Sequence, residues 1–149
     1  MVKVVKFKQR GTILFSTQGS LDVNLFLSYQ AEAHAGQENI LDLLNSKRAF
    51  IPVEDVLTNE ILLIGKTRIV HVTLDDRNEG NEAPGQVELP VILELLSGET
   101  VEGSLFTDLP DGKKRLSDYL DLSGQFICLR QEKSDLILNK SFILSVKEK

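Results

Sequence analysis

The sequence predicts a mainly β protein built from two tandem small sheets or partial barrels, each carrying one short inserted helix. Two observations lead to this prediction. Apolar and polar residues alternate over several stretches, which is the period expected of half-buried strands. One set of these stretches also recurs in the second half of the chain. A length of 149 residues fits one domain or two very small ones.

The internal repeat is clearest around two predicted helices. Asp42 matches Asp118 at an offset of 76 positions, and a Phe-Ile dipeptide follows each of them at the same offset. A turn that is two residues shorter in the second copy then shifts the offset to 74, where Lys66 matches Lys140. We interpret the match as a tandem duplication. Chance similarity between β-rich segments is the alternative.

The boundary between the two copies is predicted in an acidic stretch. Residues 75–86 lack apolar periodicity and end near a Pro-Gly turn signal. The sequence therefore predicts a first repeat unit at 1–74, an acidic linker at 75–86 and a second repeat unit at 87–149. Units of roughly 70 residues are marginal alone, so we expect each to bury surface against the other.

Both units are predicted to run strand, strand, short helix, strand, strand. In the second unit, alternating apolar residues from Val87 to Leu95 and a turn at Ser97-Gly98 predict a hairpin, with Gly103 as a bulge or close-packing point. Helices are predicted at 40–44 and 116–122. The predicted strands of the first unit are residues 4–15, 21–29, 50–53 and 60–74. Those of the second are 87–95, 100–107 and 125–130, followed by 135–138 and 142–146 as a final strand or a tight strand pair.

Composition excludes several classes of protein. The single cysteine excludes an internal disulfide, so a reducing cytoplasm is the predicted compartment. No apolar run approaches the roughly 18 residues of a membrane-spanning helix, and the alternating basic N-terminus is unlike a signal peptide. We therefore expect no membrane partner. The net charge of −5 disfavours general polyanion binding but leaves room for a small basic site.

Few side chains offer catalytic chemistry. His34 and His71 have no His or Cys neighbour at metal-ligand spacing, and Cys128 lies in an apolar strand predicted to bury an inert thiol. Asp42 and Asp118 open the predicted helices, where a carboxylate caps backbone N–H groups. Acid–base catalysis by these two carboxylates is the alternative. The sequence predicts no enzyme, no metal and no cofactor.

Basic residues near the predicted helices form the remaining candidate site. They are interpreted either as solvated, locally paired turns or as a small anion or RNA site beside a helix N-terminus. Arg115 is expected to pair with Asp118, three residues further on. The anion or RNA-binding candidates are Lys113, Lys114, Arg115, Lys47, Arg48, Lys66 and Lys140.

A polar signature marks the second unit. Residues 112–121 read Gly-Lys-Lys-Arg-Leu-Ser-Asp-Tyr-Leu-Asp, a Phe-Ile strand follows, and residues 139–143 read Asn-Lys-Ser-Phe-Ile. This pattern resembles a small uncharacterised prokaryotic domain family with the signature Arg-x-Ser-Asp-x-Leu-Asn and a closing Asn-Lys-x-x-Ile. Asp121 departs from its final Asn, and the first unit lacks the Arg and Ser. The resemblance implies tandem copies of that domain and supplies no catalytic residues.

A second resemblance concerns the strands. Residues 91–103 form a strand, a tight turn and a strand with an internal glycine, and residues 136–143 form a closing segment. These segments are similar to the two signatures of Sm-like barrels, which implies Sm-like or SH3-like sheet units. The inserted helix departs from that pattern, and the aspartate and asparagine that read RNA bases have no clear counterpart.

These observations predict a non-enzymatic interaction or regulatory module. Self-association is expected because small sheets leave edge strands that pair with other chains. The predicted partner is a second copy or another protein. The alternative is an RNA- or nucleotide-binding Sm-like protein that uses the basic candidates.

Overall fold

A computed structural model of the chain describes residues 6–32, 34–75, 86–107 and 115–149. Over these residues the chain is mainly β, with antiparallel strands and two short α-helices. It divides into two compact units, Met1–Leu74 and Asp75–Lys149. Most of the predicted linker, residues 76–85, lies outside the described residues. Where the structure describes the chain, no helix is both long enough and apolar enough to cross a membrane.

Within its described residues the first unit contains five strands, one α-helix and one 3-10 helix. They are β1 (Lys6–Phe15), β2 (Ser20–Ser28), α1 (Ile40–Leu44), β3 (Phe50–Asp55), β4 (Ile61–Gly65), the 3-10 helix Lys66–Arg68 and β5 (Ile69–Leu74). The strands follow the order β5-β1-β2-β3-β4, and the neighbours are antiparallel. A 3-10 helix therefore interrupts the stretch 60–74, for which the sequence predicted only strand.

One face of the first unit's strands is buried. Alternation along β2 places Val23, Leu25 and Leu27 on this face because successive side chains of a strand point to opposite sides. The short helix α1 packs against β2 and buries its apolar side chains, which recur three and four residues apart. The buried apolar residues of the unit are Ile13, Val23, Leu25, Leu27, Ile40, Leu43, Leu44, Ile51, Val53, Ile69, Val72 and Leu74.

The second unit repeats this order of elements within its described residues. They are β6 (Val87–Leu95), β7 (Thr100–Thr107), α2 (Leu116–Leu122), β8 (Phe126–Arg130), β9 (Asp135–Asn139), the 3-10 helix Lys140–Phe142 and β10 (Ile143–Glu148). The strands follow the order β10-β6-β7-β8-β9. Their neighbours are again antiparallel. Both α-helices have the bounds that the sequence predicted.

Two residues of the second unit clarify its packing. A Cβ atom at Gly103 would lie 2.6 Å from the main-chain oxygen of Arg130, so this position on β7 requires glycine for close approach to β8. Cys128 on β8 is partly exposed, so the prediction of a buried thiol is wrong. The buried apolar residues of this unit are Val91, Leu93, Leu95, Val101, Leu105, Phe126, Ile127, Leu129, Leu136, Ile137 and Leu138.

Candidate functional site

β4 lies at the edge of the first unit's strand order. Among the described strands of that unit it pairs with β3 alone, in a regular antiparallel ladder of five residue pairs. Its sequence, Ile-Leu-Leu-Ile-Gly, is uncharged and contains no proline. An edge strand presents a row of main-chain N–H and C=O groups to any chain that aligns beside it. β4 is therefore an apolar edge without the usual protecting residues.

Three large apolar side chains beside this edge form what we call the β4 patch: Phe50, Ile61 and Leu63. Their exposed fractions are 59%, 57% and 69%. All three lie on the same face, because Phe50 is paired with Gly65 and Leu63 with Pro52, and paired residues share a face. Leu57, in the turn between β3 and β4, is also exposed. Clustered exposed apolar residues of this kind mark interaction surfaces.

A polar group borders the β4 patch on the same face. Glu54 is paired with Ile61, and its carboxylate accepts hydrogen bonds from Lys8 Nζ at 3.1 Å and Asn24 Nδ2 at 3.1 Å. The hydrogen bond from Asn24, followed by that from Lys8, lowers the pKa of Glu54. Lys8 Nζ also lies 5.9 Å from the ring centroid of Phe26. These contacts give the patch a satisfied polar rim.

β10, at the far end of the second unit's strand order, is a different kind of edge. Its ladder with β6 shifts register between Ile143 and Ser145, which places Leu144 in a bulge. Leu144 is 60% exposed, and the strand ends in the exposed charged residues Lys147 and Glu148. Bulges and charges are the features that protect natural edge strands against pairing. β10 has both, whereas β4 has neither.

Lys66, a predicted anion-binding residue, stabilises the end of α1 instead. Its Nζ donates hydrogen bonds to the main-chain oxygens of Leu44, at 3.2 Å, and Ser46, at 2.5 Å. The carbonyls of a last helical turn have no partner within the helix, and they form the negative end of its dipole. Partial burial lowers the pKa of Lys66. Its ammonium group is therefore used within the fold.

Lys140 makes the corresponding contact in the second unit. Its Nζ donates to the main-chain oxygen of Leu120 at 2.8 Å and to that of Ser123 at 3.2 Å, at the end of α2. The Ser123 hydroxyl lies 3.3 Å from the same ammonium. Each unit thus holds its short helix with a lysine that begins a 3-10 helix. The ammonium groups of both predicted anion-binding lysines thus lie at helix C-termini.

The other basic candidates do not form one cluster. Lys47 and Arg48 are exposed in the turn after α1, and neither makes an ion pair with the residues that the structure describes. Arg115 is exposed and pairs with an acidic neighbour on α2. Lys113 and Lys114 lie outside the described residues. In the first unit, then, the exposed part of the predicted basic site is Lys47 and Arg48.

Each predicted capping aspartate occupies the third residue of its helix. At α1 the N-cap is Asn39, whose side chain accepts from Asp42 N at 2.8 Å, while the Asp42 carboxylate accepts from Asn39 N at 3.0 Å. Asp42 therefore contributes to a capping box. At α2 the N-cap is Arg115, and no described side chain caps it. Asp118 accepts from Arg115 Nε at 3.2 Å, so its predicted cap is not formed.

His34 connects the loop before α1 to the same capping box. Its Nε2 lies 2.6 Å from Oδ2 of Asp42, and its Nδ1 lies 2.8 Å from the main-chain oxygen of Ala35. Both partners are acceptors, so only the imidazolium, with two N–H groups, satisfies both. The hydrogen bond to Ala35, followed by that to Asp42, raises the pKa of His34. His34 therefore connects the loop before α1 to the Asp42 carboxylate of the capping box.

Sequence reasoning missed the β4 patch. The segment 60–74 was assigned to strands without an order, so nothing marked β4 as an edge. No separate role was predicted for Ile61 or Leu63, which lie in this apolar run. The sequence does contain one signal, because the four consecutive apolar residues 61–64 place apolar side chains on both faces of the strand. A strand buried on one side only would alternate with polar residues.

No protein-family model matches the sequence, and no curated protein or solved structure is significantly similar to it. The site is therefore interpreted from its own geometry and chemistry.

Proposed function

We propose that the chain is a non-enzymatic interaction module that self-associates through β4. The observation that carries the proposal is the β4 patch of Phe50, Ile61 and Leu63 beside a regular, uncharged edge strand. A second strand aligned there would satisfy the outward main-chain groups, each hydrogen bond contributing about 0.5–1.5 kcal/mol. It would also remove apolar surface from water, at about 25 cal/mol per Å².

A second copy of this chain is the proposed occupant. β4 offers a partner no charged side chain, so the strand it fits best is itself uncharged and apolar. β4 of another molecule has these properties. By contrast, β9, the fourth strand of the second unit, has all five residues buried. The equivalent strand of the first unit is the one left exposed, which supports a role in contact with another molecule.

The proposal includes tandem Sm-like or SH3-like units. It is supported by the strand order, which places the fifth strand of each unit beside the first and then runs second, third, fourth. A 3-10 helix precedes the fifth strand in both units, and Lys66 and Lys140 begin these helices.

We propose a reducing cytoplasm as the site of action, on the basis of the single cysteine.

Sedimentation equilibrium of the purified chain tests the proposal. The wild type is expected to form a reversible dimer or larger assembly, and Leu63→Lys to shift it to monomer because lysine on an edge strand opposes pairing. Leu144→Lys is the matched control, since Leu144 is similarly exposed on β10. A wild type that stays monomeric at high micromolar concentration would refute the proposal, as would equal effects of the two variants.

RNA binding is the competing proposal, and one experiment separates it. Filter binding to a mixed-sequence single-stranded RNA at about 50 and 200 mM salt would show a steep loss of affinity if several lysines contact phosphates. Lys47, Arg48 and Arg115 are the described candidates that are exposed, and of these Arg115 already pairs with Asp118. Salt-sensitive binding abolished by Lys47→Ala with Arg48→Ala would favour an RNA-binding protein. The interaction module predicts that no such binding occurs.

A further inference from the structure

We infer that the self-association interface is an antiparallel pair of β4 strands related by a two-fold axis, with Leu63 of one copy opposite Leu63 of the other. This inference rests on the proposed function, which requires only that β4 binds a second copy. It adds the strand that β4 pairs with, the direction of the pairing and its register. A two-fold interface of this kind uses the same surface on both molecules and closes at a dimer.

β4 is the better partner for β4 because β10, an edge of the second unit's strand order, is protected. Pairing with β10 would place an uncharged strand beside the bulge at Leu144 and the charges of Lys147 and Glu148. A bulge interrupts the regular spacing of main-chain groups that a new strand requires. β4, by contrast, is regular over its whole length, from Ile61 to Gly65. Two copies of β4 therefore match each other in spacing and in polarity.

The charges that flank β4 select the antiparallel direction. Glu60 immediately precedes the strand and is exposed, and Lys66 immediately follows it. An antiparallel second copy places the two Glu60 side chains at opposite ends of the interface. A parallel copy would place Glu60 beside Glu60 of the partner, and like charges on paired strands are destabilising. Antiparallel pairing is also slightly more stable per residue than parallel pairing.

Side-chain size and charge then select the register. Residues that are paired across two strands point to the same face of the sheet. The two-fold axis must therefore pass beside one residue of β4, and that residue is paired with the same residue of the other copy. With the axis at Leu63, Ile61 of one copy lies opposite Gly65 of the other. The ring of Phe50 covers Gly65, because a Cβ atom built on the glycine would lie 3.4 Å from Phe50 Cε1. The patches of the two copies then meet as Ile61 against Phe50, twice by symmetry.

The neighbouring register is less favourable. With the axis at Leu62, Glu60 would be paired with Ile64 of the other copy. Its carboxylate would then lie next to the partly buried side chain of Ile64. Placing a charged group against apolar surface without a partner is unfavourable. With the axis at Leu63, Glu60 instead lies opposite position 66, beyond the apolar residues of the partner's strand, and the Lys66 ammonium keeps its hydrogen bonds to the end of α1. This alignment therefore pairs the apolar residues with each other and keeps Glu60 away from them.

Cysteine cross-linking in a Cys128→Ser background tests the register. Directly opposed residues have Cβ atoms about 4.5–5.5 Å apart, close to the 3.5–4.5 Å of a disulfide, whereas diagonal neighbours are about 7–8 Å apart. Leu63→Cys is therefore expected to form a disulfide-linked dimer on mild oxidation, at a concentration where the parent dimerises. Leu62→Cys, the register control, is expected to cross-link at least tenfold more slowly.

A second variant keeps the test informative if Leu63→Cys weakens the patch. Glu60→Lys leaves the patch intact but opposes two lysines across the interface, so the dimer Kd is expected to rise severalfold at low salt. Glu99→Lys, at an exposed glutamate in the turn between β6 and β7, is the charge-matched control and is expected to leave Kd unchanged.

The outcomes separate this inference from the function it rests on. A wild-type dimer that cross-links through Leu62→Cys but not Leu63→Cys, or that is insensitive to Glu60→Lys, overturns the inferred pairing and leaves self-association standing. A dimer abolished by Leu144→Lys but not by Leu63→Lys places the interface on β10 and overturns both. A wild type that sediments as a monomer also overturns both.

Discussion

Lys140 is expected to stabilise the second unit because its ammonium group closes the end of α2. Lys140→Met keeps most of the aliphatic stem and removes the donor to the main-chain oxygens of Leu120 and Ser123, at 2.8 Å and 3.2 Å. Hydrogen bonds to a charged group contribute about 1.5–3 kcal/mol, and a cation at a helix C-terminus adds about 0.3–1 kcal/mol. Because the side chain is partly exposed and water can replace it, we expect a loss of about 2 kcal/mol.

Thermal unfolding followed by circular dichroism measures this loss. For a chain of this size, about 1 kcal/mol corresponds to roughly 2–4 °C, so Tm is expected to fall by about 4–8 °C. Lys147→Met is the control, because Lys147 is an exposed lysine of β10 and its removal should change Tm little. If Lys140→Met melted like Lys147→Met, the ammonium would not hold the helix, and Lys140 would return to the list of anion-binding candidates.

Two further predictions concern His34 and Gly103. The pKa of His34 is raised above its ordinary value of 6.5. The imidazolium contacts therefore stabilise the loop fully below pH 6.5, and this stabilisation is lost as pH rises through the raised pKa. An NMR titration should show the raised pKa, and Asp42→Asn should bring it closer to the ordinary value. Gly103→Ala should destabilise the chain by about 1–3 kcal/mol in urea unfolding, because the new Cβ would lie 2.6 Å from the main-chain oxygen of Arg130; an unchanged midpoint would contradict that contact.

The elements of this fold could be predicted because each depends on local pattern. Alternation from Val87 to Leu95 and the helix bounds 40–44 and 116–122 are visible in short windows of sequence. The close approach at Gly103 was also anticipated. The 3-10 helix at Lys66–Arg68 was not predicted as a helix, because three residues are too few to show a helical period.

The candidate site could not be predicted because it depends on strand order. Whether Ile61 and Leu63 are core or surface is decided by what lies beside β4, and that is a tertiary property. The lysines show the same limit. Lys66 and Lys140 recur at one offset, which suggested shared function, but the carbonyls that bind them lie about 20 residues earlier in the chain. The repeated lysines make the same contact with the end of a helix in both units.

The two units share an order of elements but treat their exposed strands differently, and this difference is the strongest argument for a role in assembly. β10 carries a bulge at Leu144 and terminal charges, so one edge is protected by the devices that prevent pairing. An unprotected apolar edge exposes a chain to aggregation unless a partner covers it. β4, with Ile61 and Leu63 exposed, is such an edge. The proposed pairing of β4 with a second copy accounts for this lack of protection.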